Sequence, residues 1–221
     1  MKTYPNQLVI FDFDGVIVDT EYTTFCFYRD ILPQWGIHLK ESDFKYKIAR
    51  KSIDFFKDVL PKDKFDEAFV QQLITLKRQA FLNNIKQYLK PIPYAQELLE
   101  ACRQDHLRLA IGSQNERELL EKAVDVFDIS HYFELIISLQ DLKNKKPDPE
   151  IFLLISQKLN VPPSQTVVIE DGKEGIQAAK TGGFKAIGYT NSFTREELAQ
   201  DHPDLIVESL KQLTPQLLRC L

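Results

Sequence analysis

Residues 10–20 read IFDFDGVIVDT, a mostly apolar stretch that nevertheless holds three carboxylates. Apolar runs of this kind are usually buried, and burying an ionised carboxylate without a partner is costly. Residues 7–11 form a short run that favours a β-strand, and Asp12 follows it directly. The stretch therefore predicts a buried strand whose end carries acids that another group must neutralise.

Downstream of residue 90, short apolar runs alternate with segments of helical periodicity. The runs occupy residues 107–112, 134–138, 166–170, 185–189 and 204–207. Strands that alternate with helices in this way indicate βαβ units and a parallel sheet covered on both faces. We expect the strand at residues 7–11 to belong to the same sheet.

The block from about Glu21 to Leu89 shows no comparable strand signal. Its apolar residues recur at spacings of three and four, as in Phe65, Phe69, Leu73, Leu76 and Ala80, which is typical of helices. The predicted fold is therefore α/β. A Rossmann-like parallel sheet forms a core domain from residues 1–18 and 91–221, and residues 19–90 form an inserted α-helical domain.

The composition excludes several classes of protein. The chain has 221 residues, 43 % of them hydrophobic, and a formal net charge of −4. Such a balance gives no basic surface for nucleic acid, and no apolar run reaches the length of a membrane span. Cys26, Cys102 and Cys220 are widely spaced and odd in number, which fits neither a disulfide framework nor a zinc site. We expect a soluble cytoplasmic protein without nucleic acid or membrane partners.

Acidic residues follow two of the predicted strands. Asp12 and Asp14 come after the first strand, and Glu170 and Asp171 stand at the end of the run at 166–170. Asp12 and Asp14 face one side of an extended segment, although an Asp-Gly pair by itself is equally typical of a solvated turn. Ligands of open α/β sheets gather at the carboxyl ends of the strands. Two acidic groups that converge there require a cation, and Mg²⁺ prefers such oxygen ligands.

A hydroxyl and a lysine stand at two further positions of this edge. Ser113 follows the run at 107–112 and, with Glu116, matches a capping box that opens a helix, where its hydroxyl could also donate to a phosphate. Lys146 precedes Pro147 in KKPDP, with Asp148 predicted as the helix N-cap and Pro149 as the first helical residue. Lys146 is either a surface lysine or a cation aimed into the site by a stiff loop.

DFDGVIVD, Ser113, Lys146 in KKPDP and IEDGKEG together resemble the four ordered motifs of the haloacid dehalogenase-like hydrolase superfamily. The resemblance covers essentially the whole chain, including a helical cap inserted after the first strand, and is closest to the β-phosphoglucomutase-like phosphatase branch. It implies a Mg²⁺-dependent phosphatase that cleaves a small-molecule phosphomonoester through an aspartyl-phosphate. The substrate would be a phosphorylated metabolite, such as a sugar phosphate or a nucleotide-like compound, and the protein a monomer or weak homodimer.

Carried over by position, the resemblance implies roles for single residues. Asp12 would attack phosphorus, and Asp14 would protonate the leaving oxygen and then deprotonate the hydrolytic water. Ser113 and Lys146 would hold the phosphoryl group. Arg50, in KIARKSI, would contact the substrate or simply begin an exposed basic helix.

The resemblance also implies a ligand set for Mg²⁺. Asp12, the backbone carbonyl of Asp14, and Asp171 would bind the ion, with Glu170 bound directly or through water. Phosphoryl transfer needs in-line positioning and neutralised oxygen charge, which a metal ion and a lysine supply.

Two alternatives remain open at this stage. The mutase members of the branch carry a histidine in DTExxH, and Thr24 occupies that position in DTEYTTF. This substitution makes a sugar-phosphate mutase the less favoured hypothesis without excluding it. A non-catalytic phospho-ligand binding module is the third hypothesis, although such a module has no use for an inserted cap.

Overall fold

The computed structural model describes residues 7–46 and 52–221. These residues divide into two compact units. One, called here the α/β unit, holds the described residues up to Val18 together with Pro91–Leu221, and the other, called the helical unit, holds those of Asp19–Lys90.

The α/β unit is built on a parallel sheet. The strands in chain order are β1 (Leu8–Phe11), β2 (Val18–Asp19), β3 (Lys90–Pro91), β4 (Arg108–Gly112), β5 (Leu135–Ile137), β6 (Thr166–Glu170), β7 (Lys185–Tyr189) and β8 (Leu205–Val207). Six of them form one sheet in the order β5–β4–β1–β6–β7–β8, while β2 and β3 pair separately. Leu8 pairs in parallel with both Arg108 and Thr166. The predicted parallel sheet is confirmed, with the first strand at its centre.

The helices follow the predicted alternation. Those of the helical unit are α1 (Glu21–Ile31), α2 (Ser52–Val59), α3 (Glu67–Asn83) and α4 (Ile85–Tyr88). Those of the α/β unit are α5 (Ala95–Gln104), α6 (Arg117–Val126), α7 (Glu150–Leu159), α8 (Lys173–Thr181), α9 (Arg195–Ala199) and α10 (Pro215–Cys220). The periodicity did not predict α10, which begins after Thr214, whose hydroxyl accepts a hydrogen bond from the Leu217 backbone N–H.

Burial explains why the central strand is apolar throughout. All four residues of β1 are buried. Because successive side chains of a strand point to opposite faces, both faces of the sheet must be covered at this strand. On one face, Leu8 and Ile10 belong to a core cluster that includes Phe152 of α7 and Ile176 of α8. The first strand is therefore held on all sides, which fixes the position of the residues that follow it.

Aromatic rings form much of the core of the helical unit. Phe25 and Tyr28 of α1 and Phe55 and Phe56 of α2 are buried. The ring centroids of Tyr28 and Phe56 lie 4.8 Å apart, and those of Phe55 and Phe56 lie 5.1 Å apart. Edge-to-face and tilted pairs at these distances add to the free energy gained by burial. Among the described residues, no helix is both long and apolar enough to cross a membrane.

Candidate active site

Three neighbouring strands end at the same edge of the sheet and bring polar residues together there. Asp12 follows β1, Ser113 follows β4, and Glu170 is the last residue of β6, with Asp171 next in the chain. The registers of β1 with β4 and with β6 align these strand ends. Asp12, Ser113, Glu170 and Asp171 are all buried. The site therefore brings three buried acidic residues and a buried hydroxyl to one edge of the sheet.

Lys146 reaches this site from the chain between β5 and α7. Its ammonium Nζ lies 2.6 Å from Asp12 Oδ1, 2.6 Å from Glu170 Oε1 and 3.2 Å from the carbonyl oxygen of Gly112. The lysine side chain is 7 % exposed. Of the two readings of Lys146 from the sequence, the surface lysine is therefore wrong.

The local charges shift the pKa values of both partners. Burial raises the pKa of Asp12, Lys146 opposes this shift, and the neighbouring carboxylates of Glu170, Asp14 and Asp171 add to it. Burial alone would lower the pKa of Lys146, but Asp12 and Glu170 raise it, so the lysine is protonated. Among the residues that the structure describes, one ammonium group thus stands against four carboxyl groups. A second cation would hold Asp12 ionised.

The donor set suits a hard divalent cation. Asp12, Glu170 and Asp171 each offer a carboxylate oxygen, and these oxygens lie within 4.8 Å of one another. Carboxylate oxygens are the ligands that Mg²⁺ and Ca²⁺ prefer. In the part of the chain that the structure describes, no other group of three histidine, cysteine or acidic residues has this geometry. The residues present therefore fit a divalent metal ion.

Asp14 is held by two donors from the chain that follows β4. Ser113 Oγ donates to Asp14 Oδ2 at 3.1 Å, and Asn115 Nδ2 donates to Asp14 Oδ1 at 3.0 Å. Gly15, with a φ of +80°, turns the backbone sharply after Asp14, and its N–H donates to the Val18 carbonyl oxygen at 2.7 Å. Asn115 was not predicted as a site residue from the sequence, although it is a polar residue shortly after a buried strand.

The capping box predicted for Ser113 and Glu116 is wrong. Helix α6 begins at Arg117 with Glu116 as its N-cap and without a capping side-chain hydrogen bond. Ser113 Oγ instead accepts from the Asn115 backbone N–H at 3.0 Å and donates to Asp14. The box fails because the helix begins later than predicted, whereas the Ser113 hydroxyl keeps a local backbone donor and gives its own proton to Asp14.

The predicted start of the helix after Lys146 is shifted by one residue, and the predicted substrate contact cannot be placed. Helix α7 begins at Glu150, so Pro149 is its N-cap rather than its first residue, although Asp148 Oδ1 still accepts from the Glu150 N–H at 2.9 Å. Arg50 lies outside the described residues. Thr24, at the position of the mutase histidine, is buried in α1.

Two glycines make room for the acidic side chains. A Cβ atom added at Gly15 would overlap the carboxylate of Asp171, and one added at Gly175 would overlap the carboxylate of Glu170. Gly175 lies in α8, where a glycine weakens the helix relative to alanine. The close approach of Glu170, a contact between distant parts of the chain, explains why a glycine stands there.

The loop after β7 supplies two more contacts that were not predicted from the sequence. Ser192 Oγ donates to Asp171 Oδ2 at 2.5 Å, and Asn191 Nδ2 lies 3.5 Å from the same oxygen. Both residues lie shortly after a predicted strand, as Ser113 and Asp171 do. A polar residue just beyond an apolar run is thus the signal that indicates them.

The sequence of this chain matches a known protein family. Residues 9–189 match the family model described as haloacid dehalogenase-like hydrolase. The phosphorylated carbohydrates phosphatase of Thermotoga maritima is 34 % identical over 186 residues, covering 82 % of this chain and 83 % of that protein. The fructose-1-phosphate phosphatase YqaB of Escherichia coli is 30 % identical over 183 residues, covering 81 % of this chain and 94 % of that protein. A crystal structure of a putative β-phosphoglucomutase from Thermotoga maritima superimposes with a TM-score of 0.75 at 29 % identity, covering 91 % of this chain and 94 % of that one.

Proposed function

Because the chain belongs to the haloacid dehalogenase-like hydrolases, we propose that it is a Mg²⁺-dependent phosphatase of small phosphomonoesters. The observation that carries this proposal is the buried contact of Lys146 with Asp12, beside the carboxyl group of Asp14. A carboxylate that can attack phosphorus, a second carboxyl group that can carry a proton and a fixed cation are the groups that such a reaction needs.

In the proposed reaction Asp12 is the nucleophile. A carboxylate oxygen of Asp12 bonds to phosphorus while the bond from phosphorus to the ester oxygen breaks, and Asp14 gives its proton to the leaving alcohol. Water then attacks the aspartyl-phosphate, Asp14 takes the proton of that water, and inorganic phosphate leaves with Asp12 regenerated. Splitting one displacement into two lets the same pair of carboxyl groups serve both steps.

The other site residues position the groups that react. The hydrogen bonds of Ser113 and Asn115 to Asp14 orient the acid before substrate binds. Lys146 and Ser113 hold the transferring phosphoryl group, the Ser113 hydroxyl turning its one proton from Asp14 to a phosphoryl oxygen while Asn115 keeps Asp14 in place. Asp12, the backbone carbonyl of Asp14, and Asp171 would hold Mg²⁺, with Glu170 bound directly or through water. When bound, the ion neutralises phosphate oxygens, so that an anionic nucleophile can approach an anionic substrate.

A sugar phosphate is the substrate class that the relatives favour. Two of them are named as phosphatases of phosphorylated carbohydrates and of fructose 1-phosphate. Arg50 is a further candidate contact for the substrate. We also propose that the enzyme acts in the cytoplasm, where cysteines such as Cys102 stay reduced, and that it is a monomer or weak homodimer.

A sugar-phosphate mutase is the second candidate, favoured by the likeness to the putative β-phosphoglucomutase of Thermotoga maritima. A mutase must return the phosphoryl group to another hydroxyl of the sugar, which requires a group that activates that hydroxyl. Thr24 replaces the histidine expected for this role, and a threonine hydroxyl does not titrate near neutral pH. Phosphatase activity is therefore the first choice.

The test is phosphate release from a panel of sugar 1- and 6-phosphates, phosphoglycolate and a nucleoside monophosphate, each measured with Mg²⁺ and with EDTA. We expect Mg²⁺-dependent release that is strongest for one or two sugar phosphates. Asp12→Asn, which preserves the size of the side chain, should lower kcat by about a thousandfold or more.

Three outcomes would contradict parts of this proposal. Undiminished release by Asp12→Asn would exclude the aspartyl-phosphate. Conversion of a hexose 1-phosphate to the 6-phosphate, followed by ³¹P NMR without release of phosphate, would establish the mutase instead. A folded protein that binds Mg²⁺ but neither releases nor moves phosphate would support the non-catalytic binding module.

A further inference from the structure

Asp171 receives hydrogen bonds from a segment that lies outside the four motifs. Ser192 Oγ donates to Asp171 Oδ2 at 2.5 Å, and Asn191 Nδ2 lies 3.5 Å from the same oxygen. Asp171 is 5 % exposed. Both donors therefore act on one oxygen of a carboxylate that has lost most of its contact with bulk water.

The segment that carries Ser192 is anchored at both ends without using the Ser192 hydroxyl. Upstream, the Thr190 N–H donates to the Val207 carbonyl oxygen at 3.0 Å. Downstream, Thr194 is the N-cap of α9 and forms a capping box with Glu197. The Thr194 hydroxyl accepts from the Glu197 backbone N–H, and the Glu197 side chain accepts from the Thr194 backbone N–H. The loop is thus placed by backbone and capping contacts. The hydroxyl of Ser192 is not needed to hold it.

The topology sets the loop beside the acidic cluster. β7 pairs with β6, with Gly188 opposite Glu170, so the chain leaving β7 emerges next to Asp171. On the other side of Asp171 lies Gly15, whose missing Cβ leaves the space that the carboxylate fills. Asp171 is therefore held between the first motif and the loop after β7.

From this geometry we propose that Ser192 is a positioning residue that orients the Asp171 carboxylate toward a divalent cation. The inference rests on the proposed function, in which Asp171 is a ligand. Acting on Oδ2 alone, the hydroxyl fixes the rotation of the carboxyl group and hence the direction of its lone pairs. Neighbouring carboxylates would otherwise drive Asp171 away from the cluster. Hydrogen-bond partners of metal ligands typically contribute a factor of about 10 to 100 in metal affinity.

The experiment titrates Mg²⁺ alone, without substrate, and follows the urea unfolding transition. A ligand that binds only the folded protein raises the free energy of unfolding by an amount set by the ratio of the ligand concentration to Kd. The titration therefore yields the Kd for Mg²⁺. The same curves give the stability of the metal-free protein. A contact that merely anchors the loop would lower that stability without changing Kd.

For Ser192→Ala we expect the Kd for Mg²⁺ to rise by about 10- to 100-fold. Ser192→Thr keeps the hydroxyl and should restore a Kd close to that of the wild type. Ser209→Ala is the matched control: the Ser209 hydroxyl accepts from the Lys211 N–H in a turn after β8, and its removal should leave Kd unchanged. In phosphate release, Ser192→Ala should need more Mg²⁺ for half-activation.

The outcomes separate this inference from the proposed function. If the wild type gains stability with Mg²⁺ and Ser192→Ala gives the same Kd, the positioning role is refuted while the phosphatase stands. If the wild type binds no Mg²⁺ at all, both the metal-dependent reaction and the role of Ser192 are refuted.

Discussion

Asn115 Nδ2 lies 3.0 Å from Asp14 Oδ1, although 101 positions separate the two residues in the chain. The contact exists because β1 and β4 are neighbours whose carboxyl ends meet at one edge of the sheet. With Ser113 on the other oxygen, both oxygens of the Asp14 carboxyl group are held by donors. The proposed proton carrier is thus oriented before a substrate arrives.

Replacing Asn115 by aspartate tests this orientation. The amide oxygen of Asn115 accepts from the Glu116 N–H at 2.8 Å, and one oxygen of the new aspartate can still do so. The amide N–H₂ group that donates to Asp14 is replaced by a second carboxylate oxygen, which repels Asp14. We expect kcat for phosphate release to fall by about 10- to 100-fold with little change in KM. Gln140→Glu is the control, since the Gln140 side-chain oxygen accepts from the Arg117 N–H and no hydrogen bond among the described residues joins Gln140 to Asp14. Wild-type kcat in Asn115→Asp would show that the contact has no part in the reaction.

Removing the buried lysine should destabilise the protein when metal is absent. Lys146→Met leaves Asp12 and Glu170 buried without their cation, which is expected to lower the free energy of unfolding by about 3–5 kcal/mol. Mg²⁺ should restore part of this loss, since it supplies positive charge at the same carboxylates. Urea unfolding with and without Mg²⁺ measures both effects.

The matched control for that variant is Lys180→Met. Lys180 pairs with Asp204 at 2.7 Å, but its side chain is 34 % exposed, so its removal should cost no more than about 1 kcal/mol. Equal losses in the two lysine variants would contradict the structural role assigned to Lys146.

An alanine in place of Gly175 should weaken the protein in spite of its higher helix propensity. On propensity alone, Gly175→Ala would stabilise α8 by about 1 kcal/mol. The added Cβ overlaps the carboxylate of Glu170, so we expect lower stability and weaker Mg²⁺ binding. At Gly172 an added Cβ would lie 3.5 Å from Glu170 Oε2, an ordinary contact, and Gly172→Ala should be tolerated. Thermal unfolding and Mg²⁺ titration of both variants measure these effects. A Gly175→Ala protein that is more stable than the wild type would refute the conclusion that Gly175 makes room for Glu170.

The carboxyl group of Asp141 should stabilise the folded protein at neutral pH and lose this effect in acid. Partial burial acts to raise the pKa of Asp141, but hydrogen bonds from Ser138 and the charge of Arg117 outweigh it and lower the pKa. A carboxyl group with a lowered folded-state pKa stabilises the protein above its unfolded value of about 4 and loses that contribution as the pH falls further. Asp141→Asn should therefore lower the free energy of unfolding by about 1–2 kcal/mol at pH 7 and by less below pH 4.

Urea unfolding between acid and neutral pH would measure that difference. Asp128→Asn is the control, because the Asp128 side chain is 97 % exposed and should contribute almost nothing at any pH. A difference between the wild type and Asp141→Asn that stays constant across this pH range would show that the charge of Asp141 is not what stabilises the fold.

Local patterns in the sequence determined the elements and the acids at their ends. The runs at 166–170 and 185–189 coincide with β6 and β7. A buried strand consists of a short apolar run, and the polar residues that follow mark where it ends. The same patterns indicated Asp12, Asp14, Ser113, Lys146, Glu170 and Asp171 as candidates, and the structure brings these residues together. Each signal lies within a few consecutive positions, and the rule that ligands gather at the carboxyl ends of parallel strands joined these signals into one predicted site.

Which polar atoms meet was decided only by the tertiary structure. The sequence did not predict that Asn115 holds Asp14, that Ser192 holds Asp171 or that Gly175 makes room for Glu170. Each of these contacts depends on strand order or on the close approach of a helix. The local pattern assigned the Ser113 hydroxyl to a helix cap, but the helix begins later, and the hydroxyl donates to Asp14 while its oxygen accepts from the Asn115 N–H. Strand order is set by the packing of distant segments, and it decides which partners the polar side chains at the strand ends meet.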